Sequence, residues 1–382
     1  MNKESKEILE ILYKTDVRPS DFIKQYRKYD CNINMAIDFF KKLHIQAANK
    51  KVLFKEKKPE SASYEISVIE NDLKEKRYGI INISESAYPL MLKEIYFPPP
   101  IIFFKGDFFH KHSNPCIAIV GTRKCSSYGR DVAAHFAQEL SRLGITIVSG
   151  MASGIDTCSH KASVSEKGGT IAVMGCGIDV IYPQENRNLY SEIIEKGSVI
   201  TEYLPGTPPL KNNFPARNRI ISGLCYGVII VEADDRSGAL ITADFALQQN
   251  REVFAVPGEI YSECSRGCHK LIKNGAKLTE DINDVLEELS NINRLVLKNK
   301  PLALTSNNDP VHCLQKTDKS STLKLNNTQQ HIYNAIGKKP VSIEEIMMKT
   351  GLNISTVLQV ISELELFDLV KEKNLNQYCR LW

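Results

Sequence analysis

Residues 214–223 carry side chains that could bind a nucleic acid. This segment places Phe214 just ahead of Arg217, Asn218 and Arg219, and a small apolar run follows. The forked donors of arginine suit phosphate oxygens, and an unpaired base stacks on a flat aromatic ring. The combination favours single-stranded nucleic acid as the ligand of this segment.

Two glycine-containing turns are suited to phosphate groups. Val120-Gly121-Thr122-Arg123 ends a predicted strand just before a helix, and Arg236-Ser237-Gly238 stands where a second helix begins. Free backbone N–H groups and the helix dipole make such positions anion sites. For the first turn an alternative stays open, in which Gly121 only permits the turn and Ser126 or Ser127 caps the helix.

Other strand ends supply small residues and a few titratable ones. Ser149-Gly150-Met151-Ala152-Ser153-Gly154-Ile155-Asp156 and Met174-Gly175-Cys176-Gly177 would bring backbone close to a ligand at the carboxyl edge of a sheet. We expect Asp156 to cap a helix and His160 to pack on its own helix. Glu232 could act as an acid or base, but no partner group stands at a fixed spacing from it.

Common nucleotide sites are disfavoured. A dinucleotide site needs G-x-G-x-x-G after the first strand and an acidic residue after the second. Here the first turn reads Gly121-Thr122-Arg123-Lys124, and the second strand ends in Ser149-Gly150. A Walker A loop is also absent from the sequence. We therefore expect no nucleotide cofactor and no ATP hydrolysis.

Composition indicates a cytoplasmic protein that does not associate with membranes. The chain of 382 residues has room for two or three domains. No apolar stretch approaches the roughly 18 residues that span a bilayer, and the charged N-terminus lacks a signal-peptide core. The ten cysteines are scattered singly, so neither a zinc site nor disulfides are expected.

The formal net charge of +4 is modest. Residues 117–275 contain balanced numbers of basic and acidic residues. A polyanion would therefore be held by a local cluster of cations and not by bulk charge.

Hydrophobic patterning predicts an α/β core: a Rossmann-like doubly wound parallel sheet. Short, nearly continuous apolar strands alternate with amphipathic helices, as in parallel sheets covered on both faces. The strands are predicted at 116–120, 145–148, 170–174, 198–201, 228–231 and 252–256, and the clearest helices at 128–143 and 239–250.

The regions flanking the core are predicted to be mainly helical. Residues 1–83 are assigned to an N-terminal helical domain and its linker, 84–290 to the core, and 291–322 to a flexible linker. Residues 323–382 show three helices and a polar hairpin, which predicts a winged helix. Its third helix carries Glu363 and Glu365 but no lysine or arginine, so we expect protein contact or modulation of the core, and not the main DNA affinity.

Taken in order, these segments resemble the DNA-processing protein A (DprA/Smf) family. The resemblance is dense over residues 84–290, and the winged helix also fits many members. The runs that carry it are Val120-Gly121-Thr122-Arg123, Ser149 to Asp156, Tyr182-Pro183, 214–223, Val231-Glu232-Ala233, Ser237-Gly238-Ala239-Leu240 and Phe254-Ala255-Val256-Pro257-Gly258.

The resemblance implies a protein that binds and shields single-stranded DNA in natural transformation and helps to load the recombinase RecA. It implies a core that forms a homodimer and acts without nucleotide hydrolysis. It also implies Arg123 as a phosphate ligand, Lys211 as a cation at the pocket rim and Phe214 as the stacking ring, with 217–219 in the same motif. The family usually has asparagine at His269 and more often serine at Ala239, which affects secondary contacts.

Two other classes of function remain. A phosphoribohydrolase-like enzyme would carry a Pro-Gly-Gly-x-Gly-Thr loop, which this sequence lacks, although Glu232 keeps that class open. A protein-interaction scaffold would leave Arg123, Lys211 and Phe214 without a purpose.

Overall fold

The computed structural model describes residues 1–14, 17–49, 66–288, 327–337, 341–352, 354–366, 370–374 and 377–380. The chain divides into two compact units, residues 1–302 and 303–382. The linker predicted at 291–322 lies outside the described residues. Among the helices described, none is long and apolar enough to cross a membrane.

The first unit is built on a nine-stranded sheet of order β1-β2-β6-β5-β4-β3-β7-β8-β9. The strands are β1 (Gly79–Asn82), β2 (Ile101–Gly106), β3 (Cys116–Val120), β4 (Thr146–Ser149), β5 (Thr170–Val173), β6 (Ser198–Thr201), β7 (Gly227–Ile230), β8 (Glu252–Ala255) and β9 (Lys277–Leu278). The strands from β3 to β7 are buried along their whole length, as the apolar runs predict for a parallel sheet between helical layers.

Helices precede and connect these strands. They are α1 (Lys3–Lys14), α2 (Pro19–Lys28), α3 (Ile33–Asn49), α4 (Ile66–Lys74), α5 (Leu90–Glu94), α6 (Phe108–Ser113), α7 (Ser127–Arg142), α8 (Ile155–Ser163), α9 (Arg187–Lys196), α10 (Asn213–Gly223), α11 (Gly238–Gln248), α12 (Arg266–Lys273) and α13 (282–288). The predicted Rossmann-like α/β core is confirmed.

The six predicted strands, β3 to β8, are parallel as expected, and two further strands extend the sheet at one edge in antiparallel orientation. β2 pairs antiparallel with β6, and β1 pairs antiparallel with β2. The apolar pattern of a short strand predicts that the strand is buried. It does not predict whether the strand runs parallel or antiparallel to its neighbour. The sheet is therefore parallel from β6 to β9 and antiparallel at the β1 edge.

The N-terminal helices belong to the same compact unit as the sheet. Arg27 donates to the carbonyl oxygens of Ile95 (2.6 Å) and Tyr96 (3.0 Å), and Asn82 Nδ2 donates to Ser5 Oγ at 2.9 Å. Apolar residues of these helices share one buried cluster with the sheet. The predicted boundary after residue 83 therefore falls between two paired strands, and not between two compact units.

The second unit contains a winged helix. Its elements are α14 (Asn327–Ala335), β10 (Val341–Ser342), α15 (Ile343–Thr350), α16 (Ile354–Leu366), β11 (Val370–Asn374) and β12 (Gln377–Arg380). The strands form a sheet of order β10-β12-β11. Ser342 caps α15 by accepting from Glu345 N, and Gly351 ends this helix in the left-handed region at φ 67°. The three predicted helices and the terminal hairpin are confirmed.

Candidate functional site

The carboxyl ends of β3, β4, β5 and β7 carry most of the predicted site residues. The turn after β3 holds residues 121–126, the loop after β4 holds 150–154, and the segment after β5 begins with Met174 and Gly175. A cleft at this edge of the sheet is lined by Arg123, residues 150–153, Gly175, Tyr182 and Phe214. The start of α10, which carries Phe214, therefore lies at this edge as well. Open α/β sheets bind ligands at this edge.

The turn after β3 is fixed by Glu232, which is buried. Its carboxylate accepts from Ser126 Oγ at 2.5 Å and from Ser126 N at 2.9 Å, while Ser126 Oγ caps α7 by accepting from Gly129 N at 3.0 Å. Ser126 is thus the residue that caps α7, and it is one of the two serines named as alternatives in the sequence analysis. The Glu232 carboxylate is occupied in holding the helix start, and this contact gives no support to an acid–base role.

The carboxylate of Asp156 holds the loop after β4 through hydrogen bonds to its backbone. Asp156 Oδ2 accepts from Gly150 N at 3.1 Å and from Ala152 N at 3.3 Å. The residue that caps α8 is Gly154, whose φ is +85°, so the prediction that Asp156 caps a helix is wrong. Burial raises the pKa of Asp156, and the nearby charge of Arg217 opposes this shift.

Arg217 lies beneath the loop, with 3% of its surface exposed. Its Nη1 donates to Gly150 O at 2.7 Å and, through a very short contact, to Val173 O. A Cβ atom on Gly150 would lie 2.6 Å from Arg217 Nη2 and 2.8 Å from Asp156 Oδ2. Burial lowers the pKa of Arg217, and Asp156 acts against that shift. The sequence predicts a DNA contact here, whereas the structure uses this guanidinium to join the ends of β4 and β5.

Phe214 is half-buried at the start of α10, and its ring lies close to an exposed cation. Arg123 Cζ is 5.6 Å from the ring centroid, and the ring of Tyr182 packs on it at 5.3 Å. A Cβ atom on Gly175 would lie 2.9 Å from Phe214 Cδ1, so a side chain there would displace the ring. The structure therefore brings together the predicted stacking ring and the predicted phosphate ligand.

The other predicted residues are distributed around this pair. Lys211 is exposed on the segment that leads into α10. Arg236 is exposed, and Ser237 caps α11 by accepting from Ala239 N at 3.3 Å. Asn218 links the two regions, because its Nδ2 donates to Gly238 O at 3.3 Å. The second phosphate turn is thus adjacent to α10.

Arg219 is committed to an ion pair. Its two terminal nitrogens each donate to one carboxylate oxygen of Glu202 at 2.6 Å, and its Nε donates to Phe97 O at 3.0 Å. Burial lowers the pKa of Arg219, but the carboxylate of Glu202 outweighs it and the net shift is upward. This bidentate pair turns Arg219 away from the predicted role of a DNA contact and toward anchoring α10.

Sequence reasoning missed Tyr182 as a member of the site. It is 37% exposed and packs against Phe214. The available signal was the Tyr182-Pro183 run, which carries part of the family resemblance but was not assigned to the site. His269, which departs from the family pattern, places its ring Nε2 3.0 Å from Gly258 O. No group of three metal-ligating side chains that could hold an ion occurs among the described residues.

The fold and this edge define the class: a Rossmann-like α/β protein with a separate winged-helix unit. The family model described as "DNA recombination-mediator protein A" matches residues 79–290, and that described as "DprA winged helix domain" matches residues 316–373. The chain belongs to this DprA/Smf family, as the sequence motifs indicate.

Curated relatives agree with this assignment. The chain is 47% identical over 216 residues to the DNA processing protein DprA of Bacillus subtilis, covering 56% of this chain and 73% of the relative. It is 34% identical over 322 residues to protein Smf of Synechocystis, and this match covers 80% of this chain and 81% of the relative.

Two solved structures are also similar. The X-ray structure of DprA from Streptococcus pneumoniae gives a TM-score of 0.62 at 35% identity, covering 75% of this chain and 99% of that one. A Helicobacter pylori structure, described as giving insights into the single-stranded DNA binding mode of its DprA, gives a TM-score of 0.52 at 29% identity. This match covers 56% of this chain and 97% of the Helicobacter pylori chain.

Proposed function

We propose that this protein binds single-stranded DNA at the carboxyl edge of its sheet and takes part in DNA processing during natural transformation. The observation that carries the proposal is the exposed Arg123 guanidinium 5.6 Å from the half-buried Phe214 ring. A cation for a phosphate beside a flat ring for a base is the combination that single strands need. Family membership and the single-stranded DNA binding of the Helicobacter pylori DprA support the same ligand.

In this proposal the strand crosses the sheet edge from Phe214 toward the start of α11. Arg123 and Lys211 would bind phosphates, and Arg236-Ser237-Gly238 would bind another phosphate at a helix N-terminus. Asn218 would position that second turn through Gly238 O. Arg217 and Arg219 would act indirectly, by holding the loop after β4 and the start of α10.

The finer proposals follow from the family resemblance. We infer a cytoplasmic homodimer that shields incoming DNA, helps to load RecA, and needs no cofactor, metal ion or nucleotide hydrolysis. The occupied carboxylate of Glu232 supports a binding role over a phosphoribohydrolase-like one.

Fluorescence anisotropy with a labelled oligonucleotide, run beside a nucleotide-hydrolysis assay, tests the proposal. We expect single-strand binding that weakens with salt and that duplex DNA displaces poorly, and no hydrolysis of nucleoside phosphates. Absence of single-strand binding by the folded protein at low salt, or hydrolysis lost in Glu232→Gln, would reject it.

A further inference from the structure

The cleft at the carboxyl edge of the sheet has a second aromatic ring beside Phe214. Tyr182 lies in the segment between β5 and α9, and its ring centroid is 5.3 Å from that of Phe214. Tyr182 is 37% exposed, whereas Phe214 is half-buried and has Arg123 and Arg217 over its ring at 5.6 and 6.0 Å from the centroid. Tyr182 is therefore the more accessible of the two rings, and the proposed function gives it no role.

Hydrogen bonds hold the backbone around Tyr182 in place. Asn186, which is buried, donates through its Nδ2 to Met151 O at 2.9 Å and to Thr157 Oγ1 at 2.8 Å. Its backbone N–H donates to Pro183 O at 3.1 Å. The segment that carries Tyr182 is thus tied to the loop after β4, and this order lowers the entropy cost of using the ring as a ligand contact.

A base can contact these rings only on their outer faces. Carbon atoms in contact are about 3.5 Å apart, so a base between two rings needs about 7 Å between them. The centroids of Tyr182 and Phe214 are 5.3 Å apart, which is too close. The cleft itself has a volume of about 30 Å³, which is about the volume of one water molecule in the liquid. A bound base therefore stacks over the cleft, on exposed ring surface.

The two rings are not parallel. Their planes are inclined by 44°, so bases stacked on Tyr182 and on Phe214 would be inclined to each other by a similar angle. Successive bases of a duplex are stacked and paired, and taking them out of the stack is costly. A single strand can splay its bases apart more easily. The inclination of the rings therefore suits neighbouring bases of a single strand.

We propose that Tyr182 is a second stacking residue of the DNA site, which takes two neighbouring unpaired bases, one on Tyr182 and one on Phe214, with a phosphate of the same segment on Arg123. This inference rests on the proposed function and extends it, because the site then selects single strands by the arrangement of its rings as well as by charge. Stacking on an aromatic ring tolerates every base, so this pair of rings gives no sequence preference.

Fluorescence anisotropy with the full-length protein tests the second ring. The probes are a labelled oligothymidylate, an abasic oligonucleotide of the same length, and a duplex. The abasic probe keeps the phosphates and lacks the bases, so it separates stacking from phosphate binding.

The variants change the ring in steps. Tyr182→Ala removes it, Tyr182→Leu keeps an apolar side chain against Phe214 but no flat ring, and Tyr182→Phe keeps the ring. Phe214→Ala and the double variant Tyr182→Ala with Phe214→Ala complete the set. Tyr96→Ala is the matched control, because Tyr96 is 72% exposed and lies outside the residues that line the cleft. Thermal unfolding of each variant is compared with that of the wild type.

We expect Tyr182→Ala and Tyr182→Leu to bind the oligothymidylate about tenfold more weakly than the wild type. Both should keep wild-type affinity for the abasic probe and for the duplex. Tyr182→Phe and Tyr96→Ala should bind all probes as the wild type does. The double variant should bind the oligothymidylate more weakly than either single variant, because each ring contacts its own base.

Wild-type affinity of folded Tyr182→Ala or Tyr182→Leu for the oligothymidylate would overturn the inference and leave the proposed function intact. A double variant no weaker than Phe214→Ala would also overturn it, because Tyr182 would then act only by packing on Phe214. An equal loss on the abasic probe would assign Tyr182 to the DNA backbone and reject stacking. If the folded wild type binds neither single-stranded probe, the proposed function fails, and this inference fails with it.

Discussion

The guanidinium of Arg123, in the turn after β3, lies 5.6 Å from the ring centroid of Phe214, at the start of α10. Arg217 Cζ lies 6.0 Å from the same ring, so both cations are at cation–π distance. One arginine is exposed and the other is buried. The exposed Arg123 is available to a ligand, while the buried Arg217 joins the ends of β4 and β5.

Arg123→Ala and Lys211→Ala should each weaken single-strand binding and reduce its salt dependence. Removing one phosphate contact lowers the slope of log affinity against log salt by about 0.7. Anisotropy titrations over a series of salt concentrations measure both quantities. Lys167→Ala is the control, because this exposed lysine precedes β5 at the opposite edge of the sheet. Wild-type affinity and slope in both site variants would eliminate the pocket.

Phe214→Ala should cost about 1–3 kcal/mol of binding free energy if the ring stacks on a base. Because the ring is only half-buried, its effect on the free energy of unfolding should stay below the roughly 3–5 kcal/mol of a core phenylalanine. Phe136→Ala, at a residue 2% exposed, provides that comparison in urea unfolding. A Phe214 variant as unstable as Phe136→Ala that still binds normally would assign the ring to the core.

Arg217→Met should act mainly on stability. It leaves Gly150 O and Val173 O without their donor and Asp156 without a nearby cation, a loss of about 3–5 kcal/mol for a broken buried charge arrangement. Arg236→Met is the exposed control, and urea unfolding measures both variants. If Arg217→Met keeps wild-type stability and loses affinity with a smaller salt slope, Arg217 contacts phosphate directly.

His160 should make the core sensitive to acid. Burial, with a further contribution from Arg217, lowers its pKa to about 3, whereas an unfolded histidine titrates near pH 6.5. The unfolded chain binds one more proton between these values, so stability falls as the pH drops below about 6.5. The slope from this residue is at most about 1.4 kcal/mol per pH unit.

Urea unfolding at several pH values between 7 and 5 measures this effect. His160→Asn keeps a donor for Thr170 Oγ1, which the histidine Nδ1 contacts at 2.7 Å, and should lose less stability on acidification than the wild type. Asp156 acts in the opposite sense, because its pKa is raised, but it is present in both proteins. Identical slopes in the two proteins would contradict the buried neutral histidine.

Truncation after residue 302 should leave single-strand affinity within about tenfold of the full chain. This position is the boundary between the two compact units, so the first unit should remain folded, as circular dichroism would show. A larger loss of affinity with an intact core would mean that the winged helix supplies a main part of the DNA contact.

Much of the fold was predictable from local pattern. β3 and β6 begin and end where the apolar runs do, and the winged-helix unit has its three predicted helices. Burial on both faces leaves a strand almost no polar residues, so the sequence records it directly. The helix cap after β3 was predictable in part, because serine is favoured at the N-cap of a helix, but the pattern did not distinguish Ser126 from Ser127.

The different roles of the three arginines could not be predicted from local sequence pattern. Arg217 and Arg219 look equivalent to Arg123 as residue types, since each offers the same forked donors. Their partners, Val173 O and Glu202, lie far away in the chain, and only the fold brings them within hydrogen-bonding distance.

The sequence by itself determined the class of fold and the family, and it named Arg123 and Phe214 as candidate site residues. Tertiary structure decided which cations are exposed, where the antiparallel edge lies, and that the side chains of Arg123 and Phe214 lie beside each other. The physical reason is that propensity, capping and burial are local properties written along the chain. The pairing of a buried charge is decided by whichever groups the packed elements place beside it.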